Sequence, residues 1–337
     1  MKSIATFSAA ATLAVTAIAA PAHAEIYKMG GMSPGMSNFV VNATFARIVT
    51  KHVPGAKFQV TATGTAVRHA LLTAQGKMDF FMASATINWL MVNHIGPYRR
   101  LKKGPELEAK IGHILTYQIG AYHYVTFADS GIKKLADIKG RKIFVGPPGG
   151  AATRVTIGRI KEVTGLVARK DYDILAFSWD AAIQAFQDRK IEMMVVPTNI
   201  PNPSIEQVAI TNKIRFLDVP VKVTKLQLAL GATVNTIPAK AYGANQVNEG
   251  PVRTHGAWVG IAVRLSMPKE TVYKMTKAFW TNIKEAHGVA KWMKNTLTLK
   301  DAVKHIPGRL HPGAEQYYRE IGLKIPDAVV FKPRKKK

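Results

Sequence analysis

One helix–strand unit occurs twice in this chain, and no other feature restricts its fold as much. The stretch "ALLTAQGKMDFFM" at 70–82 overlays "IQAFQDRKIEMMV" at 183–195 without a gap, at an offset of 113 residues. Lys77 falls on Lys190, Met78 on Ile191 and Asp79 on Glu192, and both copies run into an apolar segment. Such a step marks the end of an amphipathic helix and the start of a buried strand. Two copies this far apart predict two similar lobes.

The surrounding sequence has the same grammar. Short apolar runs alternate with amphipathic stretches from Tyr27 onward, which is the pattern of an α/β protein. "NFVVNATFARIVTKH" (38–52) predicts a helix with Phe39, Ala43, Ala46 and Val49 inward, ending before Pro54-Gly55. "KFQVTAT" (57–63) and "MDFFMAS" (78–84) predict strands, separated by a helix with Val67, Leu71 and Ala74 on one face. Further on, "IRFLDVP" reads as a strand and "VTKLQLALG" as a helix. An irregular stretch at 242–257 then leads to the strand "AWVGIAVRLSMP" and one long helix from Lys269 to His287, with Pro268 just ahead of it.

The chain's beginning indicates its compartment. Lys2 precedes an apolar run from Ile4 to Ala20, and Pro21 is followed by Ala22-His23-Ala24, an A-x-A cleavage signal. We expect a Sec-type signal peptide at 1–24, cut after Ala24, and a periplasmic mature protein. The apolar run is short for a membrane span. The sequence has no cysteine, which excludes disulfides, a thiol nucleophile and thiolate metal sites. Its net charge of +26 would attract anions. The basic residues are nevertheless dispersed, clustering only at Arg99–Lys103 and in the tail "KPRKKK", without aromatic interleaving. No nucleic-acid partner is therefore expected.

Three loops follow predicted strands, where an open α/β sheet presents its binding crevice. They are "KMGGMSPGMSN" (28–38), "TATGTAV" (61–67) and the turn in "KIFVGPPGGAATRVTIGRIKEVTGL" (142–166). Each combines small residues, hydroxyls and a helix N-terminus, features suited to a small anion. None is a nucleotide loop. No Gly-Lys-Ser/Thr occurs, and "GPPGGAA" lacks dinucleotide spacing and is stiffened by two prolines. H-E-x-x-H is also missing, and G-x-S-x-G occurs once, as Gly31-Met32-Ser33-Pro34-Gly35. His69, His94, His113 and His123 lie on separate predicted elements and read as structural or surface residues. Donors without a histidine or carboxylate base beside them describe a binder rather than an enzyme. Neither a cofactor nor a metal is expected.

These loops resemble those of the TAXI family, the solute receptors of one branch of the TRAP transporters. The resemblance is carried by "VPGAKFQVTATGTAVRHALLTAQGKMDF" (53–80), "FADSGIKKLADIKGRKIFVGPPGGAATR" (127–154), "NIPNPSIEQVA" (199–209) and "IPGRLHPGAEQYYREIGL" (306–323). It implies a type II periplasmic binding protein fold, with two α/β lobes joined by a hinge. Expected boundaries are 25–127 with 255–331 for the first lobe, 128–254 for the second and 332–337 for a basic tail. It further implies a receptor that closes over a small carboxylate such as glutamate, glutamine or 2-oxoglutarate and presents it to TRAP membrane subunits; separately, we expect a monomer.

Carried over residue by residue, the resemblance puts Thr63, Gly64 and Thr65 in the first-lobe ligand loop. Thr153 matches the threonine of the family's S-G-T turn, and Asn199 precedes P-N-P. Ser33, Ser84, Thr86, Gly149, Gly150 and Ala151 complete the expected ligand set, with Arg154 as a long-range helper. Two departures bear on the ligand. Ala151-Ala152-Thr153 replaces S-G-T and loses a hydroxyl; Ser84-Ala85-Thr86 replaces Q-S-D and loses an acid. Without that acid, we expect a carboxylate lacking a free amine, such as a dicarboxylate or oxo acid. Trp89, Tyr117, Tyr122 and Trp179 are the aromatic candidates for the cleft wall, with core packing the expectation for each, and His123 reads as a hinge or core residue. Alternative readings are a ligand sensor feeding a membrane kinase, an enzyme on the same fold, and a polyanion binder driven by charge.

Overall fold

The computed structural model describes residues 25–328. The expected signal peptide and basic tail lie outside the described residues. The chain forms β1 (Glu25–Gly30), α1 (Ser37–His52), β2 (Ala56–Thr61), α2 (Ala66–Ala74), β3 (Phe80–Ala83), α3 (Ala85–Val92), α4 (Gly104–Glu108) and β4 (Ile111–Gln118). It continues through β5 (Ala121–Phe127), β6 (Lys142–Phe144), α5 (Ala151–Thr164), β7 (Asp173–Ile174), α6 (Trp179–Gln187), β8 (Met193–Thr198), α7 (Pro203–Thr211) and β9 (Ile214–Phe216). The return path adds α8 (Lys225–Ala229), β10 (Ala232–Ile237) and β11 (Val252–Arg264). Four helices follow: α9 (Lys269–Thr281), α10 (Ile283–His287), α11 (Met293–Thr296) and α12 (Pro312–Glu320).

These strands build two sheets of the same design. The first runs β2-β1-β3-β11-β4, with β10 paired to the opening half of β11. The second runs β7-β6-β8-β5-β9. In each, three parallel strands are followed by one antiparallel strand arriving from the other lobe, and a final strand lies beyond it. This is the two-lobed α/β architecture that the resemblance implies. The exchanged strands β5 and β11 are the crossovers, and they are tied together where Thr254 Oγ1 donates to the Tyr122 carbonyl at 2.6 Å. The expected boundaries therefore need moving at the strand level. β5 lies before residue 128 yet its strand pairing is with the second sheet, and β10 lies before 255 yet belongs to the first.

The sequence repeat corresponds to α2–β3 in one lobe and α6–β8 in the other. Asp79 accepts the Lys28 amide at 2.8 Å, and Glu192 accepts the Lys142 amide at 3.0 Å, so the carboxylates pin β1 to the start of β3 in one lobe and β6 to the start of β8 in the other. Backbone bonds return from Asp79 to Lys28 and from Glu192 to Lys142, at 2.9 and 3.1 Å. The turn before each strand needs a left-handed residue. Gly76 supplies it at φ +73°, and Arg189 takes the equivalent place at φ +56°. A side chain in that region costs about 1–2 kcal/mol. The Arg189 guanidinium offsets part of this by pairing with Asp129 at 2.8 Å and lying 4.3 Å from the centre of the Phe127 ring.

Packing changes some of the expected faces. Helix α1 sits between the first sheet and α9, with Phe45 5.2 Å from Phe279 and 6.1 Å from Phe80 between ring centres. Its buried stripe is accordingly Val41, Phe45, Ile48 and Val49, while Phe39 and Ala43 are only half-buried. Helix α2 buries Val67, Ala70 and Ala74, with Leu71 half-buried. The single helix expected over 269–287 breaks at Asn282, whose side-chain amide donates to the Ala278 carbonyl at 2.8 Å. That local bond gives the backbone an alternative to continuing the helix. The stretch read as irregular is partly strand, because β11 already begins at Val252.

Candidate functional site

A cleft of about 510 Å³ separates the two lobes and is lined by residues from both. Its walls are the C-terminal ends of β1, β3 and β6 with the loops and helix N-termini that follow, as an open α/β sheet requires. Helices α2, α3 and α5 bring Thr65, Ser84 and Gly150, their N-cap residues, to the lining. Amide groups of a helix's first turn lack intrahelical acceptors and carry a partial positive charge. Thr65 and Ser84 satisfy one amide each, accepting from Arg68 N and Ile87 N at 3.3 Å. The Gly150 cap of α5 has no side-chain acceptor.

The turn before α5 is rigid for a steric reason. Gly146 has φ +116°, and a Cβ there would stand 2.5 Å from Thr153 Oγ1. Thr153 in turn donates to the Pro147 carbonyl at 2.7 Å. Its hydroxyl therefore holds the loop closed from behind, away from the cleft lining.

Of the residues expected from the sequence, Thr65, Ser84, Thr86, Gly150 and Ala151 come together on the lining. The others lie elsewhere. Thr63 and Gly64 are exposed, because Gly64 at φ +94° folds over the buried His69 imidazole and turns the loop outward. Gly149 is exposed beside Pro97. Ser33 is buried and donates to the Asp180 carboxylate of α6, joining the lobes at one side of the cleft. Asn199 is buried, with its amide 3.4 Å from Thr296 Oγ1. Trp89, Tyr122 and Trp179 line the cleft, whereas Tyr117 is enclosed in the first-lobe core. His123 belongs to the core of the second lobe, bonded to Ala121 O and to the Tyr242 hydroxyl at 2.9 and 2.7 Å.

Sequence reasoning missed the charged floor of the cleft. Arg159 lines it with a side chain only 3% exposed and pairs with Glu162 at 3.0 Å. Gln227 donates to the same Glu162 oxygen at 3.1 Å. His255 stacks on Tyr122 with 4.1 Å between ring centres, and its Nε2 is 2.9 Å from the Tyr124 hydroxyl. Burial pushes the imidazole down to about 3, and the Arg159 charge acts in the same direction, so His255 is neutral at pH 7. A signal for Arg159 did exist: it falls on the same side of α5 as the buried Thr156 and Ile160. No comparable signal marked His255, which lies in the stretch read as irregular. Arg154 is exposed and crosses to the other lobe, where a Cβ on Gly96 would meet its Nε at 2.6 Å.

A family model described as the NMT1-like family matches residues 29–322. The chain belongs to the NMT1-like family. Among solved structures, this NMT1-like chain is similar to a TRAP periplasmic solute binding protein from Sulfitobacter sp. NAS-14.1 with bound β-D-galacturonate. The identity is 12%, the match covers 90% of this chain and 89% of that one, and the TM-score is 0.46. It is also similar to the periplasmic aliphatic sulphonate binding protein of Escherichia coli, at 13% identity over 88% and 78% of the two chains with a TM-score of 0.41. A third is a TRAP periplasmic solute binding protein from Polaromonas sp. JS666 bound to D-erythronate, at 12% identity over 91% and 88% with a TM-score of 0.45.

Among the described residues no group of His, Cys, Asp and Glu could hold a metal, and no helix is long and apolar enough to cross a membrane. The titratable groups on the lining are Arg154, Arg159, Glu162, the neutral His255 and Tyr122, whose hydroxyl is kept protonated by burial. The chemistry available is attraction of negative charge from two sides and enclosure of an apolar surface.

Proposed function

We propose that this chain is an exported solute receptor that captures a small carboxylate between its lobes and delivers it to TRAP membrane subunits. The observation that carries this reading is the convergence of three helix N-termini, from both lobes, on one cleft that also holds two arginines. Thr65, Ser84, Thr86, Gly150 and Ala151 form the anion cradle, and Arg154 and Arg159 supply the charge. The crossovers β5 and β11 act as the hinge. The leader is removed after Ala24, and the mature chain acts as a monomer in the periplasm. It performs no chemistry on what it binds.

A thermal-shift screen of carboxylates and amino acids tests the reading. Stabilisation by at least one small carboxylate, with no turnover, supports it. No shift with any of them, together with steeply salt-dependent binding of a polyanion such as heparin, sinks it.

A further inference from the structure

The cleft is apolar over most of its wall. Met32, Met36, Met82, Ile119, Trp179 and Val259 line it from both lobes and the crossovers, and its volume of about 510 Å³ suits a compact organic molecule. Three charged side chains reach the lining: Arg154, Arg159 and Glu162. With His255 neutral, the wall carries one net positive charge. Among the described residues Glu162 is the single carboxylate of the lining, and one of its oxygens already receives both Arg159 and Gln227.

Resting on the receptor reading above, we propose that the ligand is a monocarboxylate with an apolar body, aliphatic or aromatic, rather than a dicarboxylate or an amino acid. One net positive charge balances one carboxylate. A second carboxylate would lie against methionine and tryptophan without a counter-charge, and a buried unpaired charge is strongly disfavoured. An α-ammonium group would need an acidic partner, and the only acid on the lining is already engaged. The three methionines supply a soft, adaptable surface that fits a branched or ring-shaped body better than a chain of hydroxyls or carboxyls.

The test is calorimetric titration of the purified mature protein with phenylacetate, 4-methylpentanoate, 2-oxoglutarate and L-glutamate, and with the amides phenylacetamide and 4-methylpentanamide. An apolar monocarboxylate should bind at least tenfold more tightly than 2-oxoglutarate, L-glutamate and its own amide. Tighter binding of 2-oxoglutarate or L-glutamate overturns this inference and leaves the receptor reading standing. If none of the acids binds, the receptor reading fails and the inference fails with it. Arg159→Gln should reduce acid affinity at least tenfold while leaving amide affinity unchanged. Arg154→Gln, at an exposed position, should narrow the acid-over-amide preference. Retention of the full preference in both variants overturns the assignment of the carboxylate to these arginines.

Discussion

Buried imidazoles govern how this protein responds to acid. Burial pushes His113 down to about 3, His123 to about 4 and His255 to about 3, well below the ordinary histidine value of about 6.5. The folded state refuses a proton that the unfolded chain accepts. The stability from each neutral imidazole is therefore complete above about pH 6.5 and is lost as pH falls from there toward the folded value. The slope is about 1.4 kcal/mol per pH unit for each group. Urea unfolding from pH 8 to 4.5 should give a plateau and then a steep fall, and a flat profile would contradict the neutral imidazoles. His113 is a sharper case, since neither ring nitrogen has a hydrogen-bond partner among the described residues. Replacing it with Leu removes two unsatisfied polar atoms, each worth about 1–3 kcal/mol. His113→Leu should be as stable as the parent or more so at pH 7, with an acid slope smaller by about one proton.

The loops and caps around the cleft couple local backbone geometry to binding. Gly146→Ala places a Cβ against Thr153 Oγ1 at a left-handed φ, so the loop before α5 must shift. Strain of this kind costs about 1–3 kcal/mol. The variant should lose that much in urea unfolding and also lose ligand affinity, because the shift moves the α5 N-terminus. Ser84→Ala removes the cap of α3 and should cost about 1 kcal/mol of stability. The repeat explains why one turn could be recognised by its glycine and its counterpart could not. Gly76 announces a left-handed residue, whereas Arg189 adopts the same geometry without a sequence mark. Boundaries went astray where a side chain competes with the helix, as at Asn282, and where β11 gains its partner β10 from a distant stretch.

Contacts between the lobes flank the cleft. Ser33 donates to Asp180, and the Asn202 amide donates to the Gly35 carbonyl at 3.0 Å. On the other side Arg154 and Gly149 face the segment at Gly96 and Pro97. Asp180→Ala weakens the first contact while leaving each lobe's core intact. We expect a larger radius of gyration in small-angle scattering without ligand, a faster ligand off-rate and little change in the stability of either lobe. An unchanged off-rate would show that this contact does not hold the lobes together. Ligand at 100 times its Kd should add about 2.7 kcal/mol to the parent's stability.

The amino-acid sequence by itself determined the local plan: alternating helices and strands, a duplicated unit, and hydroxyl-bearing loops at strand ends. Those features follow from periodicity and turn chemistry, which act between near neighbours. Thr65, Ser84, Thr86, Gly150 and Ala151 line the cleft, and a strand end followed by a helix N-terminus is a local signal. Only the tertiary structure decided that Thr63 and Gly64 turn away, that Thr153 braces its own loop, and that β5 and β11 are exchanged between the sheets. It alone brought Arg159, Glu162, Gln227 and His255 together, from three separate stretches of chain, beneath an apolar wall. Which charges meet in a cleft depends on contacts between distant residues, and these exist only once the two lobes are built and set face to face.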